Sequence, residues 1–478
     1  MLIVIKILGV TGYGYYTIGL TVISIGIIIA NAGINYGVFR FVPIFIGQDN
    51  IAKVKGVIIF GMKFVTISGI IIALGIFLFS ELISVSLYNK PDLVKYIKLL
   101  SLTLPFSVLS GIVINIFKGF NVIKYKVLID DFTIIVSRIL FFLCCLVFGL
   151  GVTGVIMSLL TSKILGLIIG IILLLKIFPG VRDGNIKPDL DRREIISYSY
   201  PLFLSSFFTI FLNQTDILML TYYLPADQIG IYSIANKLAV LVFFISSATF
   251  SIFSPAIARL LGKGQREDIE SLLNKVSRLV LVATIPFFLI ITIFSKEALT
   301  IFGKEFSAGN TALLILASSF LFNSLLGFAG QILGVMGRSK LILINSLGGS
   351  ILNIVLNYIL ISRYGIMGAA MATGFSLFAV NVARIIEIYI LEDFSILKSS
   401  LIKPCLVGIA TGGAVLYLKQ LLNYQVSLQY FVGFVTICLV LYCVLTWVLI
   451  LTNEDKQLCY DFLILIKGKK IASFFSNS

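Results

Sequence analysis

The chain has 478 residues, 59% of them hydrophobic and 12% charged; soluble domains run nearer half apolar and a quarter charged, so an ordinary soluble fold is excluded. Apolar runs of about 20 residues recur along it, each able to cross roughly 30 Å of hydrocarbon, which makes it a polytopic helical membrane protein and excludes a β-barrel of alternating strands. The formal charge of +15 does not indicate nucleic acid, because the basic residues sit in short connections between apolar spans rather than in a patch.

Thirteen spans are predicted: 14–34, 56–80, 99–117, 127–150, 152–176, 197–222, 229–256, 279–300, 310–333, 340–361, 366–390, 402–420 and 428–452. The first apolar run has neither a basic segment before it nor a small-residue cleavage site, so no cleavable signal peptide is read there. Lys and Arg in the connections set the orientation. The connections 35–55, 118–126, 177–196, 257–278, 334–339, 391–401 and the tail from 453 hold 25 basic residues, helix ends included. The opposite side holds eight, and Lys63, Arg138, Lys163 and Lys237 lie within spans, which accounts for all 37. The basic side is expected to face the cytoplasm, with the carboxyl-terminal tail inside the cell membrane and Met1 outside.

The opening segment, Ile7 to Gly33, raises a question, since a glycine-rich, turn-like stretch runs straight into an apolar helix. Its counterpart lies downstream, where Gly14-Tyr15-Tyr16-Thr17-Ile18 falls on Gly230-Ile231-Tyr232-Ser233-Ile234. GFNVIKYKVLIDD at 119–131 corresponds to GVMGRSKLILINS at 334–346, and GVTGVIMSLLTS at 151–162 to GIMGAAMATGFS at 365–376. The offset stays between 214 and 216 through the loops, which predicts two homologous bundles in the same orientation, a parallel repeat. Under that offset the partner of span 197–222 would precede Met1, so either the start lies upstream or the helix has been lost. The expected plan is fourteen helices with thirteen present. It comprises a first bundle at 1–176 with five spans, a linker at 177–196, a six-helix bundle at 197–390, two further helices at 391–452 and a tail at 453–478.

The segments LGVTGYGYYTIGL, FRFVPIFIGQDNIAKVKGVI, SYPLFLSSFFTIFLNQTDILML, IGIYSIANKLAVL and VMGRSKLILINSLGGSILNIVLNYILISRYGIMGAAMAT carry a family resemblance, punctuated by Pro43, Pro201 and Pro255. From residue 8 to about 450 the chain resembles the Wzx-like polysaccharide flippases of the MOP superfamily, relatives of MATE exporters and of the lipid II flippase. The resemblance implies a MATE-like all-α fold of two six-helix bundles plus two carboxyl-terminal helices. It implies outward movement of lipid-linked oligosaccharide by alternating access, with membrane lipids and a polysaccharide polymerase or glycosyltransferases as partners. Two rival readings are a MATE-like exporter of small solutes and a non-transporting scaffold of a polysaccharide assembly complex.

No P-loop, GxSxG, HExxH or nucleotide fingerprint occurs, so no enzyme activity is expected. The six cysteines (Cys144, Cys145, Cys405, Cys438, Cys443 and Cys459) lie mostly inside spans without metal spacing, and histidine is absent. No metal, cofactor or disulfide framework is therefore expected. Ionisable groups inside spans are the chemical candidates, because each costs about 2.5–3.5 kcal/mol at a helix centre. Arg138 and Lys163 sit near the middle of theirs and either attract an anionic head group into a wet cleft or pair internally, Arg138 with Asp131. Lys63 and Lys237 lie nearer helix ends, where snorkelling also accounts for them; the resemblance adds that such flippases often carry a cavity-facing base on the helix of Lys237. Asp216, beside Asn213 and Gln214, is either a proton- or cation-responsive carboxylate or a polar contact near the head groups. Asn345, Asn353 and Asn357 share one helical face and either join helices by hydrogen bonds or read sugar. Asp130 and Asp131 suit a helix amino terminus.

Overall fold

The computed structural model describes residues 2–181, 183–262, 265–392, 401–422 and 428–450. In chain order the helices are α1 (Leu2–Asn31), α2 (Ile34–Gly47), α3 (Ile51–Leu78), α4 (Leu93–Ser101), α5 (Leu104–Gly119) and α6 (Ile123–Lys126). There follow α7 (Ile134–Val147), α8 (Gly151–Ile177), α9 (Arg192–Tyr223), α10 (Ala226–Gly262), α11 (Arg266–Ile293) and α12 (Ser295–Thr300). The last six are α13 (Asn310–Leu326), α14 (Phe328–Val335), α15 (Ser339–Tyr364), α16 (Ile366–Glu392), α17 (Ile402–Leu421) and α18 (Leu428–Leu449). Among the described residues ten helices are long and apolar enough to cross a membrane, and two bent pairs bring the number to as many as twelve. The chain is a multi-pass, all-helical membrane protein. The predicted loop at 391–401 and the tail from 453 fall largely outside the described residues.

Local detail departs from the sequence reading in three places. The glycine-rich opening is helical from Leu2, and the one break within α1 is Gly9, whose φ of 66° only glycine adopts without strain. The segment 35–55, expected as a connection, carries α2, which buries Ile34, Val38, Phe41, Val42 and Phe45 along one face. At 1.5 Å per residue its 14 residues reach only about 21 Å, too short to span the bilayer. The span predicted at 127–150 is not a plain α-helix, since Val127–Thr133 winds as a π-helix before α7. Thr133 Oγ1 donates to Leu128 O, five residues back, at 2.8 Å.

The linker is not a free tether. Lys55, 6% exposed at the start of α3, donates through Nζ to Asp183 O at 2.6 Å, and Asp189 N donates to Ala52 O at 3.1 Å. Gly56 allows this approach, because a Cβ there would lie 2.1 Å from Asp189 O. The linker then ends at Asp191, whose carboxylate caps α9 by accepting from Arg193 N and Glu194 N.

Two compact units emerge. The first is Met1–Ile234 with Phe302–Ala308 and Ser346–Ser376; the second is Ala235–Ile301, Gly309–Asn345 and Leu377–Ser478. Within the first, α3 packs on α5, α7 on α8, and α9 against both α1 and α2. Within the second, α11 packs on α13, α17 and α18, around a core that includes Leu281, Ile285, Phe294, Val415 and Phe434.

Candidate functional site

Asp216 lies seven residues, about two turns, before the end of α9 and is 6% exposed, which takes its carboxylate out of water. Four side chains of the same unit converge on it. Tyr232 OH donates to Oδ2 at 2.5 Å, and Thr373 Oγ1 donates to the same oxygen. Asn357 Nδ2 donates to Oδ1 at 2.8 Å, and Asn353 Nδ2 reaches it at 3.4 Å. Asn357 Nδ2 also donates to Asn353 Oδ1 at 2.9 Å, as the spacing of four residues on α15 allows. Asn353, Asn357 and Tyr232 are at most 1% exposed. Among the described residues no Lys or Arg comes within ion-pairing distance of Asp216, so neutral donors alone hold the carboxylate. Asn357 Oδ1 is buried and accepts no hydrogen bond. The cluster is rich in oxygen, and such a set suits a proton or a hard cation.

The basic residues form a second group in the same unit. Arg138, half-buried on α7, donates through Nη2 to Tyr16 OH on α1 at 2.9 Å. The alternative pairing with Asp131 is not made, since Asp131 faces Lys126 at 3.5 Å. Lys163, half-buried on α8, feels Asp130 and Arg138 as its charged neighbours. Lys63 stands on an exposed position of α3, and Lys237 is an exposed residue of the second unit. Asn345, about two turns before Asn353 on α15, donates instead to Glu387 Oε2 at 2.7 Å and, among the described residues, makes no bond to the Asp216 cluster. The side chain of Asn213 lies outside the described residues.

Tyr16, Tyr232 and Thr373 belong to these groups and were not singled out from sequence, although the repeat already paired the two tyrosines. Tyr16 and Tyr232 stand 216 apart, and Arg138 and Asn353 stand 215 apart. The same two scaffold positions therefore serve opposite charges, with Tyr16 accepting from a guanidinium and Tyr232 donating to a carboxylate. Repeat-equivalent residues also meet directly, as Thr17 Oγ1 donates to Ser233 Oγ at 3.4 Å in a buried contact. Beside it a Cβ on Gly14 would fall 1.7 Å from Ala226 O, and one on Gly230 would fall 2.6 Å from Val10 O. Glycine is what lets α1 and the start of α10 cross this closely.

The model of the family described as "Polysaccharide biosynthesis protein" matches residues 1–261, more than half of the chain, and the MatE model matches residues 201–359. The chain belongs to the polysaccharide biosynthesis protein family. This family member is 29% identical over 289 residues to a Haloferax volcanii protein described as "Probable low-salt glycan biosynthesis flippase Agl15". That match takes in 60% of the chain and spans 59% of the relative's length. Among solved structures, an inward-facing multidrug resistance MATE family transporter of the MOP superfamily superposes with a TM-score of 0.65 at 16% identity, over 83% of this chain and 96% of that one. The lipid II flippase MurJ, in an inward closed conformation, superposes with a TM-score of 0.64 at 15% identity, over 91% and 97%. These likenesses show that the polysaccharide biosynthesis family member has a MATE-like helical fold.

Proposed function

We propose that the chain is a flippase that carries polyisoprenyl-diphosphate-linked oligosaccharide from the cytoplasmic to the outer leaflet of the cell membrane. The observation that carries this reading is the basic group of Arg138 and Lys163, set inside apolar helices, with Arg138 bonded among the described residues to the neutral Tyr16 hydroxyl and to no carboxylate. A diphosphate and its glycan cannot enter hydrocarbon unaided, whereas hydrated cations stabilise them while the lipid tail stays in the bilayer. Lys63, of the same unit, would extend that basic lining, and Lys237 would act as a separate candidate cation of the second unit. The glycan flippase named among the relatives, and the family's own description, support the substrate class.

Asp216 supplies the driving step in this account. With a proton or a monovalent cation bound, the carboxylate is neutralised; a half turn of the Asn353 and Asn357 amides would present their Oδ1 atoms to the cation. Release leaves a negative charge held only by neutral donors, which favours a different arrangement of the helices that supply them. The bundles 1–176 and 197–390 would then exchange access through the linker at 177–196. No covalent bond changes in this cycle, so the protein acts as a transporter rather than an enzyme. The lipid-linked glycan, the bilayer and a polymerase or glycosyltransferase of the same assembly route are its partners, and the carboxyl tail lies in the cytoplasm.

The test is the triple variant Arg138→Gln, Lys163→Gln, Lys237→Gln, with surface glycan measured per folded protein. Transport is expected to fall at least tenfold at normal abundance. Full normalised transport would remove the basic-cleft mechanism.

A further inference from the structure

A cavity of about 840 Å³ opens in the first unit, and neither Asp216, Arg138 nor Lys163 is among its lining residues. Its walls are the stretch of α1 from Leu8 to Tyr15, the short helix α4 with Pro91 and Asp92 before it, and the first turn of α8. α4 is bent by 42° from α5 and amphipathic. Leu93, Ile97 and Leu100 pack inward, while Lys95, Lys98 and Leu99 line the cavity. Tyr15 and Tyr96 form one side, their rings 5.5 Å apart and tilted by 40°. Gly12 keeps the floor open, because a Cβ there would meet Tyr96 OH at 3.1 Å.

Charge and location narrow the ligand. Among the described residues neither Lys95 nor Lys98 has a carboxylate within ion-pairing distance, although Asp92 lines the same cavity. These lysines lie on the side where basic residues are sparse. Of the eight there, Lys6, Lys90, Lys95 and Lys98 all fall within the first 98 residues. A bilayer protein depletes that side of Lys, so two unpaired ammonium groups in one cavity call for an anionic partner. The uncapped start of α8, a 27-residue helix, adds its positive dipole end to the same wall.

The surroundings point to an amphiphile rather than a soluble anion. Leu8, Val94 and Leu99 supply apolar lining. Lys98 Nζ lies 5.8 Å from the centroid of Phe77, at the end of α3 where Leu78 and Phe79 are 72% and 60% exposed. Cations, tyrosines and lipid-facing apolar side chains at one helix end form the pattern of the membrane interface.

We propose that this cavity binds the phosphodiester head group of an anionic membrane lipid. Lys95 and Lys98 hold the phosphate, Asp92 accepts a head-group hydroxyl, and the acyl chains lie along Phe77 and Leu78. The site is separate from translocation and does not depend on the substrate argued above.

The test is native mass spectrometry of the full chain in micelles doped with phosphatidylglycerol or phosphatidylcholine. Wild type should retain at least one more phosphatidylglycerol than phosphatidylcholine. Lys95→Gln/Lys98→Gln should lose that molecule with a retention drop of fivefold or more, while Lys124→Gln/Lys126→Gln, at the opposite helix ends, should keep it. Melting temperatures in lipid-free micelles establish that both variants are folded. Equal retention of the two lipids by wild type, or equal loss in both variants, would overturn the proposal. So would displacement of the lipid by millimolar inorganic phosphate, which would make the cavity a free-anion site.

Discussion

Four uncharged donors converge on the Asp216 carboxylate, two hydroxyls and two amides. Asp216→Asn keeps the shape and loses the charge. Hydroxyls can rotate to accept from the new amide, so the folding cost is expected within about 1–3 kcal/mol, the scale of one buried hydrogen-bond mismatch. Abundance should stay near wild type, whereas translocation should stop responding to a change in pH or sodium. A wild-type ion response in that variant would take the coupling role away from Asp216. From sequence, Asp216, Asn353 and Asn357 could be chosen one at a time, because a polar group in an apolar span stands out by its desolvation cost. Their meeting was not legible, since Asp216 stands 137 and 141 residues from Asn353 and Asn357 and no spacing rule reaches across that distance. Thr373 gave no such signal, as a threonine hydroxyl in a span can bond its own helix, and Tyr232 gave none because its ring is ordinary in an apolar span.

That long apolar helices recur was legible because it rests on composition. The helix bounds were not, as α1 begins at Leu2 and the stretches 279–300 and 310–333 are each broken into two helices. The near-constant offset aligns Gly14 with Gly230. Less legible was what those glycines do. They read as a turn, but in the fold they are the contact between α1 and the start of α10. A helix crossing and a turn both ask for glycine, and local sequence does not separate the two reasons. Likewise α2, with Arg40 and Pro43 in 14 residues, resembles a connection; Arg40 lies with its guanidinium 4.2 Å from the ring centroid of Tyr198. Gly14→Val should be far more harmful than its surface area suggests. Its Cβ would sit 1.7 Å from a backbone oxygen, so the two helices must part. Overpacking of this kind costs about 1–3 kcal/mol or more, and a melting temperature several degrees lower is the expected reading. Gly47→Ala, with nothing within 4 Å, serves as the neutral comparison. Equal melting temperatures for the two variants would contradict the close crossing.

At the scale of the whole molecule, orientation rests on the distribution of Lys and Arg between the two sides. With the six native cysteines replaced, a membrane-impermeant thiol reagent added to intact cells should label a cysteine at the exposed Asn89 and spare one at the exposed Gly184. The reverse pattern would invert every statement about leaflets. The central claim, movement of a lipid-linked glycan, is tested most directly with the purified full chain in vesicles loaded with a fluorescent polyisoprenyl-diphosphate oligosaccharide. Lectin added outside then reports how much glycan has reached the outer leaflet over time. The account predicts transfer at least tenfold faster than in protein-free vesicles, dependence on an ion gradient, and no transfer of a phosphatidylcholine probe. Transfer at the protein-free rate, or equal transfer of the phosphatidylcholine probe, would contradict it.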